Sequence, residues 1–296
     1  MTYTLLGLAS CNMQPAERPT VDIQGHRGCR GLLPENTIPA FKKALDLGVT
    51  TLELDITVTK AGTVYVSHEP FFNHEISRTP DGNPIPKGEE LTHNMYGLSD
   101  QEIAMYDVGL QPHPRFPMQK KMAVTKPTLV NMVTQVEAYA KEKAYPAPLY
   151  NIEIKRRADA DDLYHPSMKV FADKAIATIT QLGIMARTTV QCFDVETLQY
   201  LHRAYPTVDL VYLVEKEPDI AQNIELLGFT PAVYSPNYQL VTTETVAYCR
   251  SHDMQLIPWT VNDPTDVKKL LAMGVDGIIS DYPDMAIEVA MALNKY

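Results

Sequence analysis

Two short segments carry more charge than strands usually bury. In TLELDITV (51–58) side chains alternate, so Glu53 and Asp55 share one face while Leu52, Leu54 and Ile56 take the other. In YNIEIK (150–155), Glu153 and Lys155 share a face opposite Ile152 and Ile154. If the apolar faces pack outward against helices, three carboxylates and one ammonium point inward together. An ion-pair network that merely fills the interior is one reading. Counting Arg27, whose loop would reach the same place, still leaves one negative charge over, and an uncompensated buried ion costs several kcal/mol. A divalent cation among Glu53, Asp55 and Glu153 removes the surplus. Oxygen-only donors favour Mg²⁺ or Ca²⁺ over zinc without choosing between those two.

Histidines supply the second kind of chemistry. His26, in GHRGCRGLLPENT (25–37), and His68, in TVYVSH (63–68), each end a strand-like run. Imidazoles titrate near neutrality, so beside a metal and an arginine they suit general acid and base roles in phosphoryl transfer. Arg27 offers a planar fork for phosphate oxygens. The glycines around it would let the backbone approach a ligand, and Cys29 is read as packing. His74, His93, His113, His165 and His202 are read as surface groups.

These residues need a frame that brings distant segments together. From residue 21 onward, short Val/Ile/Leu/Thr-rich runs alternate with stretches of helical length and period. The strand-like runs are 21–25, 51–58, 63–68, 150–155, 188–193, 209–214, 232–237, 255–261 and 276–281. The helix-like segments are 37–47, 128–142, 167–182, 194–204, 218–227, 242–252, 264–273 and 284–293. Such alternation predicts an α/β fold, a (β/α)₈ barrel, with an open doubly wound sheet as the alternative. Nine runs exceed eight strands, but only TKAG separates the second and third, too little for a parallel crossover. They must form an antiparallel hairpin, and a turn centred between Lys60 and Ala61 would place Glu53 opposite His68. The third run then folds over the barrel mouth, where barrel enzymes keep their active sites. Residues 71–124, rich in Pro, Gly and His and without clear periodicity, form an insertion over the same mouth.

Composition agrees with a single globular unit, residues 21–296. Hydrophobic residues make up 45% of the 296, enough for a sizeable core. The formal charge of −10 excludes a phosphate backbone as partner, so nucleic acid is not expected and an anionic ligand must be met by local cations. Cys11, Cys29, Cys192 and Cys249 lack the paired spacing of thiolate metal sites. Residues 1–20 read as a leader or linker. Leu8-Ala9-Ser10-Cys11 after a short apolar run is similar to a bacterial lipoprotein signal, though without a basic segment before it. Two expectations follow: a lipid anchor through Cys11 at the bacterial cell envelope or periplasm, or an accidental match in a cytoplasmic chain.

Six motifs in order, GHRG…PENT, ELD, the His after TKAG, IEIK, QCFD and PWTVN, together resemble the glycerophosphodiester phosphodiesterase family, from residue 21 to the C-terminus apart from the insertion. The resemblance implies a TIM barrel of the phospholipase C-like phosphodiesterase kind. It also implies a divalent metal and hydrolysis of a small-molecule glycerophosphodiester to glycerol phosphate and an alcohol, a step in lipid and glycerol metabolism. Residue by residue, it implies His26 and His68 as the acid/base pair, Glu53, Asp55 and Glu153 as metal ligands, and Arg27 and Lys155 as phosphate contacts. Trp259, the only tryptophan, would form an aromatic wall for substrate. Glu35 would orient Arg27 or a metal-bound water, Asn36 would cap the next helix, and Gln191 would be a polar contact. Where the family usually has Asp after the second histidine this chain has Glu69, to which no role is given.

Two other functions compete. The same barrel could cleave sphingomyelin or lysophospholipids in the manner of a phospholipase D, which calls for an apolar mouth; the polar insertion argues instead for a small, deacylated headgroup. A surface lipoprotein that binds without turnover would have lost a charged site residue, and none is missing.

Overall fold

The structure is a computed structural model that describes residues 20–296, so the LASC motif and Cys11 lie outside the described residues. Among the described residues nine strands form: β1 Asp22–Gly25, β2 Thr51–Val58, β3 Val64–Val66, β4 Leu149–Ile154, β5 Thr188–Cys192, β6 Asp209–Val214, β7 Val233–Pro236, β8 Gln255–Leu256 and β9 Gly277–Ser280. The helices are α1 Ile38–Asp46, the short α2 Asp100–Ile103, α3 Leu129–Glu142, α4 Met168–Gln181, α5 Val195–Ala204, α6 Ile220–Leu227, α7 Thr243–Ser251, α8 Pro264–Met273 and α9 Pro283–Ala292. Every strand-like run and helix-like segment expected from the sequence is therefore present. Eight strands pair in the order β8-β7-β6-β5-β4-β2-β1-β9, all parallel. The remaining gap is bridged by hydrogen bonds from Asp276 N to Leu256 O, Val261 N to Ile279 O and Ile279 N to Pro258 O. The result is a nearly closed (β/α)₈ barrel, as the alternation predicts. Among the described residues no helix is long and apolar enough to cross a membrane.

Helix stripes explain the outer layer. Phe41, Ala44 and Leu45 of α1 and Phe171, Ala175, Ile176 and Ile179 of α4 join Leu52, Leu54 and Ile56 of β2 in one cluster. The barrel interior is divided. β1, β2, β4 and β5 send in Gln24, Glu53, Asp55, Asn151, Glu153 and Gln191, all buried. On the other side, Val211, Val233, Ile257 and Ile279 form a separate apolar cluster against which Trp259 packs. Amides link the polar half: Asn151 Nδ2 donates to Gln24 Oε1 (2.8 Å) and Gln191 Oε1 (3.1 Å), and Gln191 Nε2 donates to Glu53 Oε1 (2.7 Å).

β3 pairs antiparallel with β2 off the barrel path, in the register Ile56 to Val66, Thr57 to Tyr65 and Val58 to Val64. That is one residue away from the expected pairing, so Glu53 is not opposite His68. The cause is the turn: Gly62, at φ +87°, makes a three-residue loop of Lys60, Ala61 and Gly62 in place of a two-residue one. After Ser67 N donates to Asp55 O, the chain leaves the ladder and His68 is carried by the turn that follows.

The insertion owns a small core of Phe72, Ile85, Met95, Ile103, Tyr106 and Val108 with Tyr65, in which Phe72 and Tyr106 stack at 3.8 Å. It is tied to the β1–α1 loop through Gln119 Nε2 to Arg30 O (2.7 Å) and Lys120 N to Leu32 O (2.9 Å). Within it His113 is buried, and so is His165 beyond β4. Both correct the expectation of surface histidines: His113 packs edge-on against Phe116 (4.7 Å), and His165 Nε2 accepts from Arg157 N (3.1 Å).

The glycines of the 25–37 loop are required by its own packing. A Cβ on Gly25 would stand 2.1 Å from the Gly28 carbonyl oxygen, and one on Gly28 (φ +87°) 2.8 Å from Ala40. Gly25→Ala is expected to cost roughly 1–3 kcal/mol through overpacking. At about 2–4 °C per kcal/mol for a domain of this size, calorimetry should show Tm lowered by about 2–12 °C.

Candidate active site

Strand register builds the acidic centre. Asp55 and Glu153 are direct ladder partners on β2 and β4, and Glu53 lies two residues before Asp55 on the same face. Ligand-capable oxygens of all three buried carboxylates lie within 4.8 Å of one another. Burial and the charge of Asp55 push Glu53 well above the usual carboxylate range; burial outweighs Lys155 to raise Glu153 as well. Burial alone would raise Asp55 too, but Arg27 and other nearby cations hold it well below that range. Asp55 Oδ1 is buried with no hydrogen-bond partner among the described residues. Three hard oxygen donors, one of them unsatisfied, fit a divalent metal ion.

Arg27 is the hinge of the β1–α1 loop. Its backbone sits in the left-handed region (φ 50°), a strained conformation for a non-glycine residue, and its amide donates to Glu53 Oε2 at 2.8 Å. Its guanidinium reaches Glu35 Oε1 (2.6 Å) and stands 3.2 Å from Asp55 Oδ2. Glu35 thus holds Arg27. Asn36 does not cap α1, whose N-cap is Thr37 without a side-chain bond; it turns inward (φ 56°) and donates to Asp55 Oδ2 at 2.8 Å. The pull of a buried carboxylate exceeds the value of a helix cap. Gln191 contacts Glu53, Lys155 Nζ donates to Glu153 Oε1 (2.7 Å), and Cys29 is buried in packing.

Each of the two histidines is backed by a carboxylate. His26 Nδ1 lies 2.6 Å from Asp281 Oδ1, and its Nε2 faces Glu53 Oε2 at 3.9 Å. His68 Nδ1 lies 2.6 Å from Glu69 Oε1. In a neutral ring, assigning the Nδ1 proton to such a bond leaves Nε2 free to accept one. Burial lowers His26 to about 4, against the pull of Asp281, so it is neutral near pH 7. The 67–71 turn that bears His68 is held by buried Lys126, whose Nζ donates to Ser67 Oγ and to Phe71 O (3.1 Å). Trp259 donates Nε1–H to Ser235 O and meets Phe193 edge-on at 5.4 Å. His26, Arg27, Glu53, His68, Glu153, Lys155, Gln191 and Trp259 all line one cleft of about 470 Å³.

Sequence reading missed Asp281, Arg30 and Lys126. Asp281 also accepts from Arg30 Nε (2.9 Å) and Nη2 (3.0 Å). One signal was available for it: DGIISD ends a barrel strand with an acid, as GHRG ends another with a histidine. Glu69, given no role from sequence, turns out to hold His68.

A parallel barrel with carboxylates, carboxylate-backed imidazoles and cations converging at its mouth defines an enzyme equipped for phosphate esters. The chain belongs to the glycerophosphoryl diester phosphodiesterase family, whose model matches residues 26–285, and is an enzyme of that class. A glycerophosphodiester phosphodiesterase of Bacillus altitudinis is 28% identical over 90% of this chain and 97% of its own. One from Caldanaerobacter subterraneus is 28% identical over 89% of this chain and 95% of its own. Among solved structures, a Silicibacter pomeroyi protein named for the same activity aligns with TM-score 0.83 at 26% identity, covering 94% of this chain and 95% of its own. An Oleispira antarctica phosphodiesterase in complex with the product sn-glycerol-3-phosphate shares the fold, with TM-score 0.71 at 18% identity over 91% of this chain and 96% of its own.

Asp281→Asn leaves Arg30 only its longer contact with Glu35 (3.8 Å), so the urea midpoint should fall by the equivalent of up to about 3 kcal/mol at pH 7. Burial would raise the Asp281 carboxyl, yet His26 and Arg30 hold it well below its usual range. Its contribution is therefore present above the unfolded value of about 4 and lost as pH falls further. The gap between wild type and variant should narrow in unfolding curves measured below about pH 4.

Proposed function

We propose that the chain hydrolyses glycerophosphodiesters to glycerol phosphate and an alcohol by acid/base catalysis of His26 and His68 with a divalent metal. One observation carries the reading: two carboxylate-backed imidazoles, Arg27, Lys155 and two carboxylates, Glu53 and Glu153, line a single cleft, with Asp55 completing the buried triad within 4.8 Å of both. The names of the relatives and the product held by the Oleispira structure support the substrate class.

Glu53, Asp55 and Glu153 would hold the cation, Mg²⁺ or Ca²⁺, which supplies charge neutralisation and Lewis acidity at the phosphate. Arg27 and Lys155 offer further positive charge to phosphate oxygens. His26, neutral and with Nε2 turned to the acidic centre, takes or returns a proton there; His68 does the complementary transfer, and Asp281 and Glu69 fix the two rings. The sequence resemblance suggests that the substrate's own glycerol 2-hydroxyl attacks first, giving a cyclic phosphate that water opens. Trp259 forms part of the wall against which the substrate lies.

Glycerophosphodiesters assayed with Mg²⁺, Ca²⁺ and chelator should release glycerol phosphate with either or both metals and not with chelator. Activity on none of them overturns the reading. His26→Ala and His68→Ala should each lower kcat by about 10²–10⁴-fold with circular dichroism unchanged.

A further inference from the structure

Packing alone does not account for the histidine that the insertion buries beside the β1–α1 loop. His113 lies in QPHPRFP (111–117), a stretch stiffened by its prolines and tied down just beyond, where Gln119 Nε2 donates to Arg30 O (2.7 Å) and Lys120 N to Leu32 O (2.9 Å). Its imidazole is fully enclosed, with 0% of the side chain exposed. Phe116 meets the ring edge-on at 4.7 Å and lies against the Arg30 guanidinium at 4.9 Å. A phenylalanine at 113 would fill the same space, so the ring nitrogens need a separate explanation.

Hydrogen bonding assigns the proton. His113 Nδ1 accepts from the Arg115 amide at 3.2 Å, so the hydrogen is on Nε2. That N–H is buried without a hydrogen-bond partner among the described residues, and it faces Glu35 Oε2, an acceptor in the same condition, at 3.8 Å. Arg30 Nη1 stands 3.8 Å from the same oxygen. The other oxygen, Oε1, accepts from Arg27 Nη1 at 2.6 Å. Burial would raise the Glu35 carboxyl, but Arg27 first, then His113 and Arg30, hold it well below the usual carboxylate range. A buried donor and a buried anionic acceptor, both unsatisfied and about an ångström short of a hydrogen bond, are a natural pair. Arg27 lines the cleft, whereas Glu35 and His113 do not.

We propose that His113 is a positioning residue for Arg27, acting through Glu35. The inference rests on the reading of Arg27 as a phosphate contact. A phosphate in the cleft competes with Glu35 for the guanidinium, because both are anionic acceptors of the same N–H donors. As Arg27 engages the phosphate, Glu35 loses part of its partner and needs another to stay satisfied in the interior. Closing the gap to the His113 N–H supplies it, so the guanidinium stays held and is still able to turn to the substrate. Without that N–H, Glu35 keeps a tighter claim on Arg27 and the phosphate is bound less well. The insertion, expected from sequence to cover the mouth, then also supports the residues beneath it.

The test compares His113→Phe, which keeps a ring, with His113→Gln, whose amide N–H takes the place of Nε2, in the full chain with Mg²⁺ or Ca²⁺. Two quantities are measured: kcat/KM for glycerophosphocholine, and the Kd of sn-glycerol-3-phosphate by calorimetry, which needs no turnover. His113→Phe should lower kcat/KM and raise Kd by about tenfold each, the loss of a hydrogen bond to a charged group, with His113→Gln within about threefold of wild type. In a Glu35→Gln background His113→Phe should change neither value further, because the two residues act in series. Phe and Gln variants that behave alike, both near wild type or both equally impaired, overturn the role of the N–H. An equal loss from His113→Phe with and without Glu35→Gln overturns the route through Glu35. If His113→Phe does not fold, His113→Asn, whose amide reaches only the place of Nδ1, replaces it in the same comparison. Absence of turnover in wild type, with sn-glycerol-3-phosphate still bound and that binding weakened by His113→Phe, overturns the proposed hydrolysis and leaves this inference standing.

Discussion

The pairing of Asp55 with Glu153 across neighbouring parallel strands is the constraint to which the rest of the site answers. Two carboxylates side by side, with Glu53 two residues away, are unfavourable in a low-dielectric interior unless cations and donors surround them. The surroundings fit that need. The strained Arg27 amide and Gln191 occupy Glu53, Asn36 turns away from α1 to reach Asp55, and Lys155 takes Glu153. Counting Glu35, Glu69 and Asp281 against Arg27, Arg30, Lys126 and Lys155, the carboxylates exceed the cations by two. A divalent cation would balance that excess, which is why the triad reads as a metal site rather than a filler of the barrel.

Division of the interior explains how such a centre coexists with a stable fold. Strands β6, β7 and β9 bring Val211, Val233 and Ile279, which with Ile257 just after β8 make an ordinary packed core, while β1, β2, β4 and β5 carry the polar residues. Gln24, Asn151 and Gln191 satisfy one another, so the polar half is a continuous hydrogen-bond network that reaches Glu53.

Legibility followed the physics of each feature. Period-two alternation disclosed which acids point inward, and βα alternation disclosed the barrel, because both depend on local pattern. The hairpin register slipped by one because a single left-handed Gly62 changes loop length, which residue counting alone does not reveal. Asn36 was misread since its cap position is local whereas its partner Asp55 is not. Lys126 and Arg30 went unseen for the same reason. Their partners lie 59 and 251 residues away, and only the folded insertion and the closed barrel bring them near.

Closure has one more consequence. His26 stands at the end of the first strand and Asp281 just after the last, a separation of 255 residues in a chain of 296. The dyad is a contact of nearly maximal sequence distance, the kind whose loop-closure entropy must be met late in folding. During synthesis, which proceeds from the N-terminus, His26 is made early and waits for a partner until all but the final helix has been translated. The His26–Asp281 contact is therefore a property of the closed barrel, and a chain that stops before the last strand has its histidine without that carboxylate.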